Sequence, residues 1–308
     1  MTLVRLESTL RLTARGLRKP AANTCCGPQE SSKISTQDEG HESGGFNFYG
    51  PQYARFGSGL AAELRREVYG EDLGQQGWRT AAEQAEFAQM ANLTPQSRVL
   101  DIACGTGGPS LALVERTGCH LTGLDLEVAA IAYAQAQTTA RGLEDRATFV
   151  CLDCSSSLPF ANGCFDAVLC IDAISHLPDR IGTLREWARL LRPGGRLVFT
   201  DPAILSGAVA KAELDIRALG FFLIVPPGFD EVAIETAGLT LLDREDRTAA
   251  TAEIAGRWHA ARLRRADELE REEGANWFVQ RQRFLATTAE LAGSRRLSRF
   301  LFIAEKPT

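Results

Sequence analysis

From Gly50 onward, short apolar runs alternate with longer stretches whose apolar residues recur at helical spacing. Five of the short runs predict strands, at 98–103, 119–125, 147–151, 165–171 and 195–200. The stretches between them predict helices at 108–117, 127–141 and 180–192, the last ended by an Arg-Pro-Gly-Gly sequence. Alternation of this kind is typical of a parallel sheet covered by helices.

Two further strand-like runs follow, at 239–245 and 298–305, and a polar, amphipathic stretch over 249–292 separates them. Helices in that stretch would lie beyond the edge of the sheet, where they roof a ligand crevice, cover an edge strand, or do both. The pattern predicts an α/β fold: a Rossmann-like, seven-stranded sheet with helices on both faces and a helical lid insertion.

The first strand leads directly into a glycine-rich turn, VLDIACGTGGPS at 99–110. Glycine lets a ligand approach the main chain closely, and the N-terminus of the next helix favours negative charge. In a dinucleotide-binding fingerprint the third glycine would fall at position 110, where this chain has Ser110 after Pro109. The fingerprint is incomplete, so a nicotinamide-dependent dehydrogenase is the less favoured alternative.

Carboxylates stand at the ends of the first strands. Asp101 precedes the glycines, Asp125 ends the second strand, and Asp153 follows the third. A carboxylate at the place of Asp125 can accept hydrogen bonds from both hydroxyls of a ribose. With the later segments FDAVLCIDAISHLPD and LREWARLLRPGGRLVFTD, this succession resembles the class I S-adenosylmethionine-dependent methyltransferases over residues 95–202. Within that family, the sequence resembles the natural-product sugar O-methyltransferases and the glycine and sarcosine N-methyltransferases.

The resemblance implies S-adenosyl-L-methionine as the cofactor and no metal. It implies that Asp125 binds the ribose and that Asp153 binds the adenine amino group. The cofactor contacts expected from the family's pattern are Asp101, Ala103, Gly105, Gly107, Asp125, Leu126, Asp153, Cys154 and Ile171.

A methyl group moves from a sulfonium to a nucleophile by in-line displacement, so alignment supplies most of the catalysis, but a hydroxyl acceptor also needs a base. In the sugar O-methyltransferases that this sequence resembles, a histidine after the fourth strand is the base and an aspartate after the fifth supports it. The matching residues here are His176 and Asp201.

Alternatively, His176 caps a turn while Asp201 binds loop amides. With an amine or carbon acceptor, His176 only orients the substrate, and Asp172 is available to a cationic substrate or to the cofactor's amino group.

The resemblance continues weakly upstream, in VYGEDLGQQGW at 68–78, where Tyr69 and Trp78 either line the cofactor pocket or belong to the core. An apolar run at 221–227 offers a wall for a small molecule or a core element. These features predict a helical lid segment at 46–94, the cofactor-binding core at 95–202, and a C-terminal part with lid insertions at 203–308. A cofactor-binding sensor or partner subunit without catalytic activity is the alternative function.

Composition disfavours nucleic acid and a membrane span, while the resemblance implies a small-molecule substrate. The chain has 34 Lys and Arg against 39 Asp and Glu, so it lacks the basic excess that would bind nucleic acid. No apolar run is long enough to span a bilayer. Several of the eight cysteines lie in apolar runs, which favours a reducing compartment, and the Cys151–Cys154 spacing lacks a second pair to complete a metal site.

The first 45 residues differ from the rest. Residues 1–20 combine basic side chains with spaced leucines, which resembles an organellar transit peptide, and residues 21–45 are polar enough to predict a disordered linker. An extension without any targeting role is the alternative. The expected location is cytoplasmic, or organellar if residues 1–20 direct import.

Overall fold

The structure is a computed structural model that describes residues 49–219 and 222–308. The predictions for the transit peptide and for the linker lie outside the described residues. So does Phe221, at the start of the apolar run 221–227.

Strands of the described chain form one sheet in the order β3-β2-β1-β4-β5-β7-β6. Their bounds are β1 (Arg98–Ile102), β2 (His120–Asp125), β3 (Ala147–Cys151), β4 (Phe165–Cys170), β5 (Leu191–Leu205), β6 (Thr240–Asp246) and β7 (Leu297–Glu305). The first five strands are parallel, and β7 lies antiparallel between β5 and β6. The predicted seven-stranded α/β sheet is therefore confirmed.

The boundaries differ most at the fifth strand. The preceding helix ends at Leu190 rather than at 192, because Leu191 is already extended and pairs with Phe165 of β4. The strand also continues past the predicted end at 200, where Ile204 pairs with Ser298 of β7. This antiparallel partner comes from the far end of the chain, so the local sequence gave no sign of the extension.

Helices cover both faces and one end of the sheet. Their bounds are α1 (Gly50–Ala54), α2 (Gly59–Tyr69), α3 (Ala81–Met90), α4 (Gly108–Thr117), α5 (Val128–Ala140), α6 (Arg180–Leu190), α7 (Lys211–Arg217), α8 (Phe229–Thr236), α9 (Thr248–Arg264), α10 (Ala266–Glu273) and α11 (Ala275–Gly293). Several begin at a side-chain cap: the Ser58 hydroxyl accepts from the Ala61 amide at the start of α2, and the Asp179 carboxylate accepts from the Gly182 amide at the start of α6.

Successive residues of β1 point to opposite faces of the sheet, and each face has its own core. Leu100 packs in a cluster with Trp187 of α6, and Val99 packs in a second cluster with Phe87 of α3. A third apolar cluster lies among the helices, where α9 packs against both α2 and α11. Among the described helices, none is both long and apolar enough to cross a bilayer.

Candidate cofactor and acceptor site

The turn between β1 and α4 has the backbone that the glycines predicted. Gly107 caps the N-terminus of α4 with a φ of 70°, a left-handed conformation that side chains disfavour. A side chain at this position would also strike the ring of Phe149, 2.7 Å from the place of its Cβ. Ala103 at the end of β1 is left-handed as well, with a φ of 53°. No side chain forms a capping hydrogen bond at the N-terminus of α4.

Asp125 links this turn to the next strand. One carboxylate oxygen accepts from the Gly105 amide at 2.8 Å, and the other accepts from the Glu127 amide at 2.9 Å. Burial raises the pKa of Asp125 despite these hydrogen bonds. Leu126, the next residue, is 62% exposed. The structure thus brings Asp125, Gly105 and Leu126 together at the carboxyl edge of the sheet.

The other predicted cofactor residues lie on neighbouring strand ends. Asp101 is buried and accepts a hydrogen bond from the Ser110 hydroxyl at 2.5 Å. Ser110, which breaks the dinucleotide fingerprint, is therefore the partner of a buried carboxyl group. Asp153 is exposed, with one oxygen bound to the Ser155 amide at 2.8 Å, whereas Cys154 and Ile171 are buried.

Two N-terminal segments cover the glycine turn. The Tyr53 hydroxyl of α1 lies 3.1 Å from the position of a Cβ on Gly105. In the loop between α2 and α3, the Gly74 carbonyl accepts from the Thr106 hydroxyl at 3.2 Å. The same loop passes so close to Gly108 that a Cβ there would overlap the Leu73 carbonyl oxygen.

Tyr69 and Trp78 belong to the core between the chain ends. The Tyr69 hydroxyl donates to the Gly77 carbonyl at 2.8 Å and accepts from the Trp258 indole at 3.1 Å. The Trp78 ring stacks on Phe284 of α11, with 6.3 Å between centroids. Of the two alternatives for these aromatic residues, the structure shows the packing role.

His176 ends a short 3-10 turn, Ile174–His176, that follows β4. Its Nε2 lies 2.9 Å from the Tyr49 hydroxyl, and the Phe222 ring lies 4.4 Å from the imidazole, centre to centre. Burial raises the pKa of Tyr49, although Arg281 and Arg217 act in the opposite direction, so the phenol is neutral at physiological pH. Sequence reasoning missed Tyr49 because it lies 127 residues from His176 in the chain.

Asp201 has a different partner from the predicted one. Its Oδ2 accepts from Arg180 at 2.6 Å and its Oδ1 accepts from the Ala203 amide at 2.8 Å, with the carboxylate fully buried. Arg180 is also paired with Asp230 of α8. Because Arg180 is the first residue of α6, this network fixes the end of the loop that begins at His176. The predicted His176–Asp201 pairing is corrected to an Arg180–Asp201 ion pair.

Asp172 is held inside the protein. One of its oxygens accepts from Arg299 at 2.6 Å and from the Thr200 hydroxyl at 2.8 Å, and the other accepts from the Trp78 amide at 2.6 Å. Burial alone would raise the pKa of Asp172, but the Arg299 guanidinium outweighs it and lowers the pKa. Asp172 therefore anchors the loop that covers the glycine turn to the end of β4.

Comparisons with known proteins agree with this geometry. The family described as "Methyltransferase domain" matches residues 100–199. Methyltransferase GfsG of Streptomyces halstedii is 39% identical over 34% of this chain and 37% of its own length. The 27-O-demethylrifamycin SV methyltransferase of Amycolatopsis mediterranei is 29% identical over 80% of this chain and 94% of its own. The chain spans about half or less of the first curated relatives that it matches.

Among solved structures, the cyclopropane synthase MmaA2 of Mycobacterium tuberculosis superposes with a TM-score of 0.71 at 16% identity, over 85% of this chain and 99% of that one. This likeness shows a shared fold. The domain match, the motif residues and the seven-stranded fold together support a class I S-adenosylmethionine-dependent methyltransferase.

Proposed function

We propose that the protein transfers a methyl group from S-adenosyl-L-methionine to a hydroxyl group of a small molecule, with His176 as the general base. The observation that carries this proposal is the Nε2 of His176 within 2.9 Å of the Tyr49 hydroxyl, just beyond β4. The relative from Amycolatopsis mediterranei, which aligns over 94% of its length, has a name that indicates methylation of an oxygen. Other relatives are named as N- and C-methyltransferases.

The residues at the glycine turn suit the cofactor. The bare turn before α4 admits a ligand against the main chain, and the amides of the first turn favour its carboxylate. Asp125 is placed to bind the ribose hydroxyls, and the exposed Leu126 beside it offers an apolar surface to the adenine ring. Asp153 is the candidate partner of the adenine amino group. When bound, the cofactor supplies an electrophilic methyl group on a sulfonium.

The chain's own residues then have two tasks. They hold the acceptor in line with the methyl group, and they remove the proton of its hydroxyl, which is a weak nucleophile at neutral pH. The imidazole of His176 accepts that proton, and the neutral phenol of Tyr49 fixes the ring through Nε2. Asp201 is a positioning residue that acts through Arg180 on the loop after His176.

The test is to follow label from methyl-labelled S-adenosylmethionine into a fractionated small-molecule extract. Removing a general base typically slows transfer about 10²- to 10⁴-fold, so we expect a loss of this size in His176→Ala and a smaller loss in Tyr49→Phe. His120→Ala is the matched control, because His120 is exposed on β2. Binding of S-adenosylhomocysteine should be the same in all variants.

Equal transfer by wild type and His176→Ala would refute the base assignment and favour an amine or carbon acceptor that reacts through alignment alone. Absence of transfer despite cofactor binding would refute the enzymatic proposal and favour the sensor or partner subunit.

A further inference from the structure

Arg217, the last residue of α7, is a buried cation with few partners. It is 1% exposed. Its only hydrogen bond within the described chain runs from Nη2 to the Pro202 carbonyl at 3.5 Å, the outer limit of such a bond. Nε and Nη1 are buried without a hydrogen-bond partner among the described residues. These two donors of the guanidinium therefore lack an acceptor within residues 49–219 and 222–308.

Other buried arginines have a carboxylate partner, which Arg217 lacks among the described residues. Each of four has a carboxylate partner: Arg65 with Asp72, Arg180 with Asp201 and Asp230, Arg262 with Glu273, and Arg299 with Glu83 and Asp172. An ionised group taken out of water without a counter-charge is costly. Burial lowers the pKa of Arg217 to about 10, so the side chain is still charged at neutral pH.

Arg217 and the proposed base, His176, both contact the ring of Phe222. Its guanidinium carbon is 4.7 Å from the Phe222 ring centre and 4.8 Å from that of Phe284. The same Phe222 ring contacts the imidazole of His176. Contacts with two aromatic faces recover part of the desolvation cost, but they supply no negative charge.

We propose that the methyl acceptor supplies this charge, and that it carries an anionic group, a carboxylate or a phosphate, which binds Arg217. The two phenyl rings would then contact an apolar part of the same molecule. This inference rests on the proposed function and narrows the acceptor from any small hydroxyl compound to an acidic one.

The test measures binding to the protein saturated with S-adenosylhomocysteine, using benzoate, phenyl phosphate and benzamide as probes of similar size. Charge-assisted hydrogen bonds are about twice as strong as neutral ones, so we expect wild type to bind at least one anion about tenfold more tightly than benzamide. Preference for benzoate would indicate a carboxylate acceptor, and preference for phenyl phosphate a phosphate. Arg217→Met should abolish the preference, and Arg217→Lys should retain part of it.

Arg244→Met is the matched control, since the Arg244 guanidinium also lies over a phenyl ring, that of Phe300 at 4.9 Å, but is partly exposed and paired with Glu231. Equal binding of benzamide and both anions, no binding of either anion, or an anion preference that survives in Arg217→Met would overturn the proposal. Should Arg217→Met fail to fold, Arg217→Gln and Arg217→Lys give the same comparison. Binding requires no methyl transfer, so this result is independent of the His176→Ala test.

Discussion

At the scale of single residues, the glycine turn depends on a contact that leaves no room for a methyl group. A Cβ on Gly108 would overlap the Leu73 carbonyl, a backbone atom that moves only with its whole loop. We expect Gly108→Ala to cost about 1–3 kcal/mol of unfolding free energy. It should also weaken S-adenosylhomocysteine binding, measured by calorimetry, because the displaced loop lies over the cofactor turn.

The control is Gly256→Ala, within α9, where a Cβ meets nothing within 4 Å and should stabilise the helix by about 0.5–1 kcal/mol. If Gly108→Ala bound the cofactor analogue as tightly as this control, the loop would have no part in binding.

Single residues also show how far the sequence could be interpreted. Asp125 and the glycines lie where the sequence predicted, at or just beyond the ends of β2 and β1, because the apolar residues of each strand define where it ends. Asp201 was placed correctly at the end of β5, but its partner was not predicted. Arg180 became that partner because α6 packs against β5, and the packing of a helix on a strand cannot be deduced from spacing along the chain. The contact of Tyr49 with His176 was not predicted either, because 127 residues of sequence separate the two.

At the scale of elements, one ion cluster joins α6, α8 and β5. Burial, and then repulsion from Asp201, raise the pKa of Asp230 to about 7, against 3.8 for an ordinary aspartate. A carboxyl group whose pKa is higher in the folded protein binds more protons when folded. Its contribution to stability is therefore greatest at low pH and is lost as the pH rises from about 4 to about 7.

We accordingly expect Asp230→Asn, which cannot ionise, to gain stability relative to wild type between pH 5 and pH 8. Urea unfolding at the two values measures the difference directly. A constant difference across this range would show that Asp230 is ionised throughout. Asp215→Asn on the exposed face of α7 is the control. Its carboxylate is 62% exposed and, among the residues that the structure describes, forms an ion pair only with Lys211.

At the scale of the whole molecule, the two ends of the described chain build one helical layer over the carboxyl edge of the sheet. The Trp258 indole donates to the Tyr69 hydroxyl across 189 residues of sequence, and Phe284 stacks on both Trp78 and Phe222. The sequence predicted helices in both regions, at 249–292 from the amphipathic pattern and at 46–94 from the family resemblance. It could not predict that they pack on each other, since many apolar faces are compatible with one another.

This arrangement predicts that cofactor binding stabilises more than the glycine turn. Tyr53 of α1 and the loop at 70–79 contact the turn, and Trp78 connects that loop to α11. A ligand that binds only the folded state, at 100 times its Kd, stabilises that state by about 2.7 kcal/mol, and local opening is suppressed where the ligand requires order. We expect S-adenosylhomocysteine to slow amide hydrogen exchange in α1 and in 70–79 as well as in 99–110.

Helix α8 provides the internal control for that measurement. It packs near β6, at the opposite edge of the sheet from β3. Its amides should therefore exchange at a rate that depends on global stability alone. Protection confined to 99–110 would mean that the N-terminal cover forms independently of the cofactor. Protection of α1 and 70–79 beyond that of α8 would mean that cofactor binding and closure of the helical layer are one coupled event. The acceptor would then meet His176, Phe222 and Arg217 in a site whose walls the cofactor has already ordered.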